Sequence, residues 1–410
     1  MDKTFVFYCI LFILIAEFIL ATVMNYLNAK RFKDPIPEDL NDFYNAEEYE
    51  KSQAYKLTNY KFGVFTSIFS LILILAFLFF DGFAWVDNVA QNISENIIIQ
   101  ALVFFGIIMI GSDILNIPFS YYQTFIIEEK FGFNKTTKAT FLIDKLKQWA
   151  MTIIFGGAIL SLVIWFFQWA GTNFWVYTWA FVAIFTLFMN LFYSKLIVPL
   201  FNKQEPLEAG SLKEKIENYA AQVGFDLQNI FVINGSKRST KANAYFSGFG
   251  KEKRVTLYDT LINDLEEEEI VAVLAHEIGH YKRKHIIFNL ATSIVLTGVM
   301  LFILSLFINN PEVSLAIGVD RPSFHAALIG FGILYSPISE ITGLLMNHFS
   351  RKFEYQADDY AKNTYAALPL VTSLKKLSKN SLSNLTPHPA YVFMHYSHPP
   401  LIDRIRNLKA

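Results

Sequence analysis

Long apolar runs alternate with polar connections along the chain, and the runs exceed what the core helices of a soluble domain need. A helix must hold roughly 20 apolar residues to cross a hydrocarbon layer of about 30 Å. Seven runs reach that length, near residues 5 to 27, 62 to 80, 97 to 118, 149 to 170, 174 to 194, 286 to 308 and 326 to 347. The first is too long for a signal-peptide core, carries Glu17, and has neither a strongly basic start nor a small-residue cleavage pattern. It is read as a retained membrane helix. Composition agrees, because 53% hydrophobic residues, 17% charged residues and 41 Phe among 410 residues exclude a wholly soluble protein. The expected fold class is an α-helical integral membrane protein.

The connections alternate in charge. Lys30, Arg31, Lys33, Lys51, Lys56 and Lys61 follow the first run, and Lys130, Lys135, Lys138, Lys145 and Lys147 follow the third. The connections 81 to 96 and 171 to 173 have no Lys or Arg, and the one after the sixth run has only Arg321. The positive-inside rule then puts the N-terminus outside, with the basic loops, the insertion 195 to 285 and the tail after 347 in the cytoplasm. Trp169 and Trp175 flank the short outer turn as interfacial anchors do.

The insertion is the one long stretch with soluble character. Ser211 to Val223 has helical spacing, whereas 230 to 233 (IFVI) and 255 to 258 (VTLY) read as strands, which predicts a small strand pair. Asp264 and Glu266 to Glu269 put acid at the start of a helix predicted to run to about Lys284. The chain thus divides into 1–200 with five membrane helices, 201–285 as a catalytic insertion, 286–347 with two more helices, and 348–410 as a C-terminal region. A net charge of -1 offers no footprint for nucleic acid, and Cys9 as the single cysteine excludes an intrachain disulfide or a cysteine metal cluster.

Candidate chemistry stands on the insertion's last helix, as His276-Glu277-Ile278-Gly279-His280. Histidines at i and i+4 share one helical face and can reach a single ion, while the intervening Glu can touch that ion's water. A catalytic zinc wants three protein ligands and one open position. Glu354 and Asp358, at i and i+4 after the seventh run, supply a third ligand and an acceptor for a ligand histidine's proton; the plainer reading of Glu354 is a solvated acidic face. Asp113 and Glu340 lie at membrane depth and are read as cavity lining. Lys282, Arg283, Lys284 and His285 are read as headgroup-level topology determinants, and His325, His348, His388 and His395 have no partner at ligand spacing.

These motifs together resemble the CAAX prenyl protease 1 family of integral-membrane zinc endopeptidases. The likeness extends to Pro118 through Phe125 and Glu128 through Asn134 after the third run, to Asn243-Ala244-Tyr245-Phe246, and to Tyr396-Ser397-His398-Pro399-Pro400 with Arg404. The resemblance implies a hollow barrel of seven helices around a water-filled chamber, with a small α+β zincin-like region on the cytoplasmic side. It also implies one zinc per chain on His276, His280 and Glu354, Glu277 as base, and Asn243 on an edge strand that holds the substrate backbone. His398 would stand near the scissile carbonyl, and Arg404 would be a basic residue of the same wall. The implied activity is hydrolysis of C-terminal prenylated or hydrophobic peptides and of membrane proteins, with the lipid bilayer as the other partner. Thr240-Lys241-Ala242 stands where eukaryotic members usually have Ser-His-Ser, and the tail Asn407-Leu408-Lys409-Ala410 has no dilysine-type signal. Both favour a bacterial plasma-membrane member over one of the endoplasmic reticulum. The competing readings are a heat-shock-type membrane metallopeptidase and a non-enzymatic seven-helix receptor or transporter.

Overall fold

The computed structural model describes residues 2–227, 229–247 and 254–410. Helix α1 (Lys3–Lys30) is followed by α2 (Ala46–Phe79), whose start is fixed by a capping box: Asn45 Oδ1 accepts from Glu48 N at 2.8 Å and Glu48 returns to Asn45 N at 3.4 Å. Helix α3 (Gly82–Ile93) then precedes α4 (Ile97–Tyr122), which Asn96 caps. Pro118 removes one backbone donor inside α4, and the helix ends in a wider turn over Gln123–Glu128. Next come α5 (Lys138–Met151), α6 (Gly157–Ala170) and α7 (Phe174–Leu196). The last two fold back on each other at Gly171, which takes φ 56°, and the rings of Phe166 and Tyr177 lie 6.0 Å apart across the hairpin.

Six helical stretches among the described residues are long and apolar enough to cross a membrane: 3–33, 46–79, 97–128, 138–201, 285–307 and 324–364. The expected runs 149 to 170 and 174 to 194 both fall in the 64-residue stretch, on either side of the turn at Gly171. At most 22% of the apolar window of any stretch is buried in protein. Side chains such as Phe12, Ile72 and Ile184 therefore point outward at more than half exposure, a surface that only lipid can cover at this scale.

The insertion opens with α8 (Val198–Phe201), strand β1 (Gln204–Pro206), α9 (Ser211–Gln222) and β2 (Asn229–Ile233). It continues through β3 (Ala244–Ser247), β4 (Arg254–Tyr258), α10 (Asp259–Asp264) and α11 (Glu267–Lys282). The expected strand pair is in fact a four-stranded sheet among the described residues, in the order β1-β2-β4-β3. Strands β2 and β4 are parallel with Ile230 opposite Val255, and the outer strands are antiparallel to them. The predicted strands are the apolar central ones; the edges are short and polar or preceded by a Ser/Lys-rich loop, so alternation does not reveal them.

Helix α12 (His285–Phe307), α13 (Pro311–Ala316) and α14 (Phe324–Thr364) follow, then α15 (Ala367–Asn380), α16 (Pro389–His395) and α17 (Leu401–Lys409). Helix α14 is one rod of 41 residues, about 60 Å long, so the expected seventh run and the Glu354-Asp358 pair share a single element. Ile216, Leu257, Ile270, Leu274, Leu370 and Ile405 join α9, the sheet, α11, α15 and α17 in one fully buried core. Two of the acidic groups among the membrane helices are paired. Asp113 accepts from Lys145 Nζ and Trp149 Nε1, both at 2.7 Å, and His325, which had no evident partner in the sequence, lies 2.6 Å from Asp87.

Candidate active site

Helix α11 carries acid in its first turn and Lys282 in its last, the arrangement its dipole favours. It ends two residues earlier than expected because Lys284 adopts a left-handed conformation at φ 61°, which bends the chain so that His285 returns toward His280. The face bearing His276 and His280 meets α14 at an unusually close approach. A Cβ added to Gly279 would lie 3.1 Å from Ala357 Cα and 3.2 Å from Ala357 O, so the glycine is what lets Glu354 come within reach of the histidines.

His276 Nε2 and His280 Nε2 stand 3.1 Å apart. Glu354 closes the triangle, with Oε2 3.4 Å from the first and Oε1 3.2 Å from the second. Four ligands at 2.0–2.1 Å from a tetrahedral centre are about 3.3 Å from one another, and these three edges have that length.

Tautomers sharpen the point. Asp358, fully buried, accepts two hydrogen bonds from Arg404, at 2.6 Å and 2.9 Å, and lies 2.9 Å from His276 Nδ1. A carboxylate accepts only, so the His276 proton is on Nδ1 and Nε2 presents a lone pair. His285 Nε2 faces Gln356 Oε1 at 2.8 Å, another pure acceptor, and His285 Nδ1 faces His280 Nδ1 at 3.0 Å. His285 therefore donates to Gln356 and accepts from His280, which leaves the His280 Nε2 lone pair facing that of His276. Glu354 Oε2 is buried and makes no hydrogen bond. Three acceptor atoms converging this closely, one of them buried without a hydrogen bond, suit a bound cation. Burial lowers the pKa of His276, but the hydrogen bonds of Asp358 and Glu354 outweigh it and lift the ring to about 9, the same demand for positive charge expressed as proton affinity. The donor set of two imidazoles and one carboxylate fits zinc with a fourth position open.

A cleft of about 580 Å³ opens over these atoms, bordered by Glu277, Asn243, His398 and Arg404 as well as the three ligand candidates. His398 is 65% exposed, with Nε2 3.3 Å from Glu354 Oε1, so it stands on the open side. Asn243 precedes edge strand β3, and its backbone oxygen accepts from Tyr258 N at 3.1 Å. Arg404 borders the cleft, yet its donors face inward to Asp358 and, at 3.3 Å, to Glu354. All the sequence-predicted site residues thus meet at one place, while Asp113 lies elsewhere in a membrane-depth pair and Glu340 is exposed outside the cleft.

The chain matches two protein-family profiles, "CAAX prenyl protease N-terminal, five membrane helices" over residues 25–203 and "Peptidase family M48" over 206–410. It is 36% identical to the CAAX prenyl protease 1 homolog of Oryza sativa, across 98% of this chain and 96% of that one. The Homo sapiens homolog is 32% identical across 91% and 88%, and CAAX prenyl protease 1 of Saccharomyces cerevisiae 34% identical across 96% and 93%. The crystal structure of S. mikatae Ste24p superposes with a TM-score of 0.92 at 34% identity, covering 98% of each chain. The chain belongs to the CAAX prenyl protease 1 family. It is a multi-pass membrane metalloprotease, and the non-enzymatic receptor or transporter reading falls away.

In this CAAX prenyl protease 1 family member, sequence reasoning missed His285. Its offset of five from His280 fits no helical face, and only the left-handed turn at Lys284 brings the two rings together. The usable signal was Gln356, which sits between Glu354 and Asp358 as an acceptor without an obvious donor. The segment Glu128 to Asn134 also acts here. Phe133 O accepts from Thr240 N at 3.1 Å and Lys135 N donates to Arg238 O at 3.0 Å, which ties this loop to the chain entering β3. Lys241 packs 4.3 Å from the Phe133 ring centroid and pairs with Glu128 at 2.9 Å.

Proposed function

We propose that the chain is a zinc endopeptidase cutting C-terminal peptides, prenylated or simply hydrophobic, and membrane proteins that reach its cleft. His276, His280 and Glu354 hold one zinc, and Glu277 is the general base. The observation that carries this reading is the convergence of three acceptor atoms at 3.1–3.4 Å with both histidine tautomers fixed from behind. Zinc, when bound there, supplies carbonyl polarisation and a water whose pKa falls to about 7. Glu277 borders the cleft one residue from the first ligand; it takes the water's proton and passes it to the leaving amine. His398 donates to the developing oxyanion from the open side. Asn243 and strand β3 offer an extended peptide main-chain hydrogen bonds that set its register. Asp358 holds the His276 tautomer, and Arg404 holds Asp358 from the wall of the same cleft.

Prenylated substrates are supported by the names of the rice, human and yeast relatives and by the full-length likeness to them. The shared zinc motif alone would equally serve a heat-shock-type quality-control peptidase; the N-terminal profile with five membrane helices favours the CAAX reading. We further read the 64-residue stretch as two crossings, which makes seven helices around a chamber, with the N-terminus outside and the cleft facing the cytoplasm. The division into membrane helices 1–200, catalytic insertion 201–285, helices 286–347 and C-terminal region 348–410 fits this arrangement. The relatives named above are eukaryotic and lend no support to the bacterial plasma membrane expected from the sequence.

The test is Glu277→Gln in the purified full-length protein. One zinc per chain should remain, while hydrolysis of a farnesylated C-terminal peptide should fall by about 10²–10⁴-fold, the range for loss of a general base. A variant without zinc, or one that cuts at the parental rate, would remove Glu277 from that role.

A further inference from the structure

The catalytic cleft joins a second cavity of about 430 Å³ between α1, α2 and the C-terminal segment. Three residues border both: Lys56, Asn384 and Tyr396. Each offers a donor. Lys56 stands near the start of α2, and its charged neighbours are Lys241 and Glu128. Glu128 is already engaged, accepting from Tyr55 Oη at 2.6 Å, from Gln123 Nε2 at 3.1 Å and from Lys241 Nζ at 2.9 Å. Lys241 and Glu128 thus neutralise each other, and among the described residues Lys56 has no ion-pair partner. Burial pushes the Tyr396 phenol up to about 12, which keeps it an O–H donor, and it lies two residues before His398. Asn384 spends one amide hydrogen on Asn28 Oδ1 at 3.2 Å and has a second to give.

An ammonium, a phenol and an amide at one junction, with no anion among them, form a grip for an oxyanion. The junction borders the cleft in which the scissile bond would lie, and the anion that every peptide brings there, whatever its sequence, is its own end. We propose that Lys56, Tyr396 and Asn384 form a carboxylate subsite that receives the free C-terminus of the peptide being cut. The subsite makes the enzyme a reader of chain ends, and the proposal rests on the peptidase reading above. A lipid phosphate shares the chemistry, and the experiment separates the two sources.

Two peptides of one sequence, ending in a free acid or in an amide, are given to the full-length zinc-loaded enzyme in detergent, and the ratio of kcat/KM is read. The parent should prefer the acid by about 10- to 100-fold, the usual range for a hydrogen-bonded charge. Lys56→Gln should bring the ratio to near 1, Lys56→Arg should restore most of it, and Tyr396→Phe should lower it in part. Zinc per chain reports that each variant is folded. A parent ratio of 1, or a preference that survives Lys56→Gln, overturns the proposal. So does stimulation of the parent but not of Lys56→Gln by phosphatidylglycerol vesicles when acid and amide are cut equally, because Lys56 then serves a lipid. If Lys56→Gln does not accumulate, the parent ratio and Tyr396→Phe still decide. Failure of the peptidase reading looks different: neither peptide is cut, or Glu277→Gln cuts both at the parental rate.

Discussion

Replacing Gly279 by Ala adds one carbon at the contact that sets the distance between the two ligand-bearing helices. The new Cβ would lie 3.1 Å from Ala357 Cα, 3.1 Å from Tyr360 Cβ and 3.2 Å from Ala357 O. Carbon pairs settle at about 3.5–4.0 Å, so α14 must retreat by at least about 0.4 Å at this point. Glu354 stands one turn before Ala357 on the same rod and moves with it. Metal–ligand lengths hold within about 0.2 Å, so the displacement exceeds what the ligand set absorbs. Zinc affinity should fall by about 10- to 100-fold, the scale of an outer-contact loss. Stability changes less. Alanine favours the helix by up to about 1 kcal/mol over glycine, while overpacking costs about 1–3 kcal/mol, a net loss of about 0–2 kcal/mol.

The assay is chelator competition for zinc together with thermal unfolding, with and without metal. Because the variant weakens binding to the folded state, it should lower Tm more in the zinc-loaded protein than in the metal-free one. Gly343→Ala is the control: it lies on the same helix, where an added Cβ meets nothing within 4 Å, and should leave zinc affinity unchanged. Parental affinity in Gly279→Ala with a raised Tm would refute the argument, since α14 would then have yielded without carrying Glu354 away.

Glu354→Ala should lose more than about 100-fold in zinc affinity and Asp358→Ala about 10- to 100-fold; equal affinity in Glu354→Ala and the parent would move the third ligand elsewhere. Asp358→Ala should also destabilise the fold by about 3–5 kcal/mol, because it strands the buried Arg404 charge, and a denaturant midpoint near the parent's would contradict that. His285→Ala removes the acceptor that fixes the His280 tautomer and should weaken zinc by about tenfold, with a smaller loss in Gln356→Ala; unchanged affinity in both would make the His280–His285 contact incidental. A reporter fused after Lys147 should be cytoplasmic and one after Gly171 external, and the reverse pattern would invert the topology.

The parts of this protein that a sequence reader can find are those in which physics repeats along the chain. Apolar runs of membrane length, histidines one turn apart and carboxylates one turn apart all carry a local period, and each lands where that period puts it, including Glu354 and Asp358 on the rod that continues the last apolar run. What stays hidden is contact between distant segments. Strand β3 is too short and too plain to signal itself, yet β4 recruits it as an edge. Helix α3 lies within a connection read only for its lack of Lys and Arg, and its Asp87 meets His325 from across the chain. Lys56 and Lys145 each counted once as loop charge. In the structure, Lys145 neutralises Asp113, and Lys56 borders the cleft junction with no ion-pair partner among the described residues.

That difference is where a charge tally and a structure part company. A sequence counts both lysines alike as topology signals, because helix insertion responds to charge near the membrane ends and not to what each ammonium later touches. Folding then sorts them by desolvation. A lysine drawn to membrane depth must find a carboxylate, as Lys145 does. One left beside a polar cavity keeps its unspent charge for whatever enters. The same sorting applies to the buried histidines: His325 is consumed by Asp87 and His285 by His280 and Gln356, while the Nε2 atoms of His276 and His280 are left facing each other and Glu354. On the peptidase reading, function sits where polar groups are left over after the fold has paired the rest, which is why spacing points to His276, His280, Glu354 and Asp358 but not to His285 and Gln356 behind them.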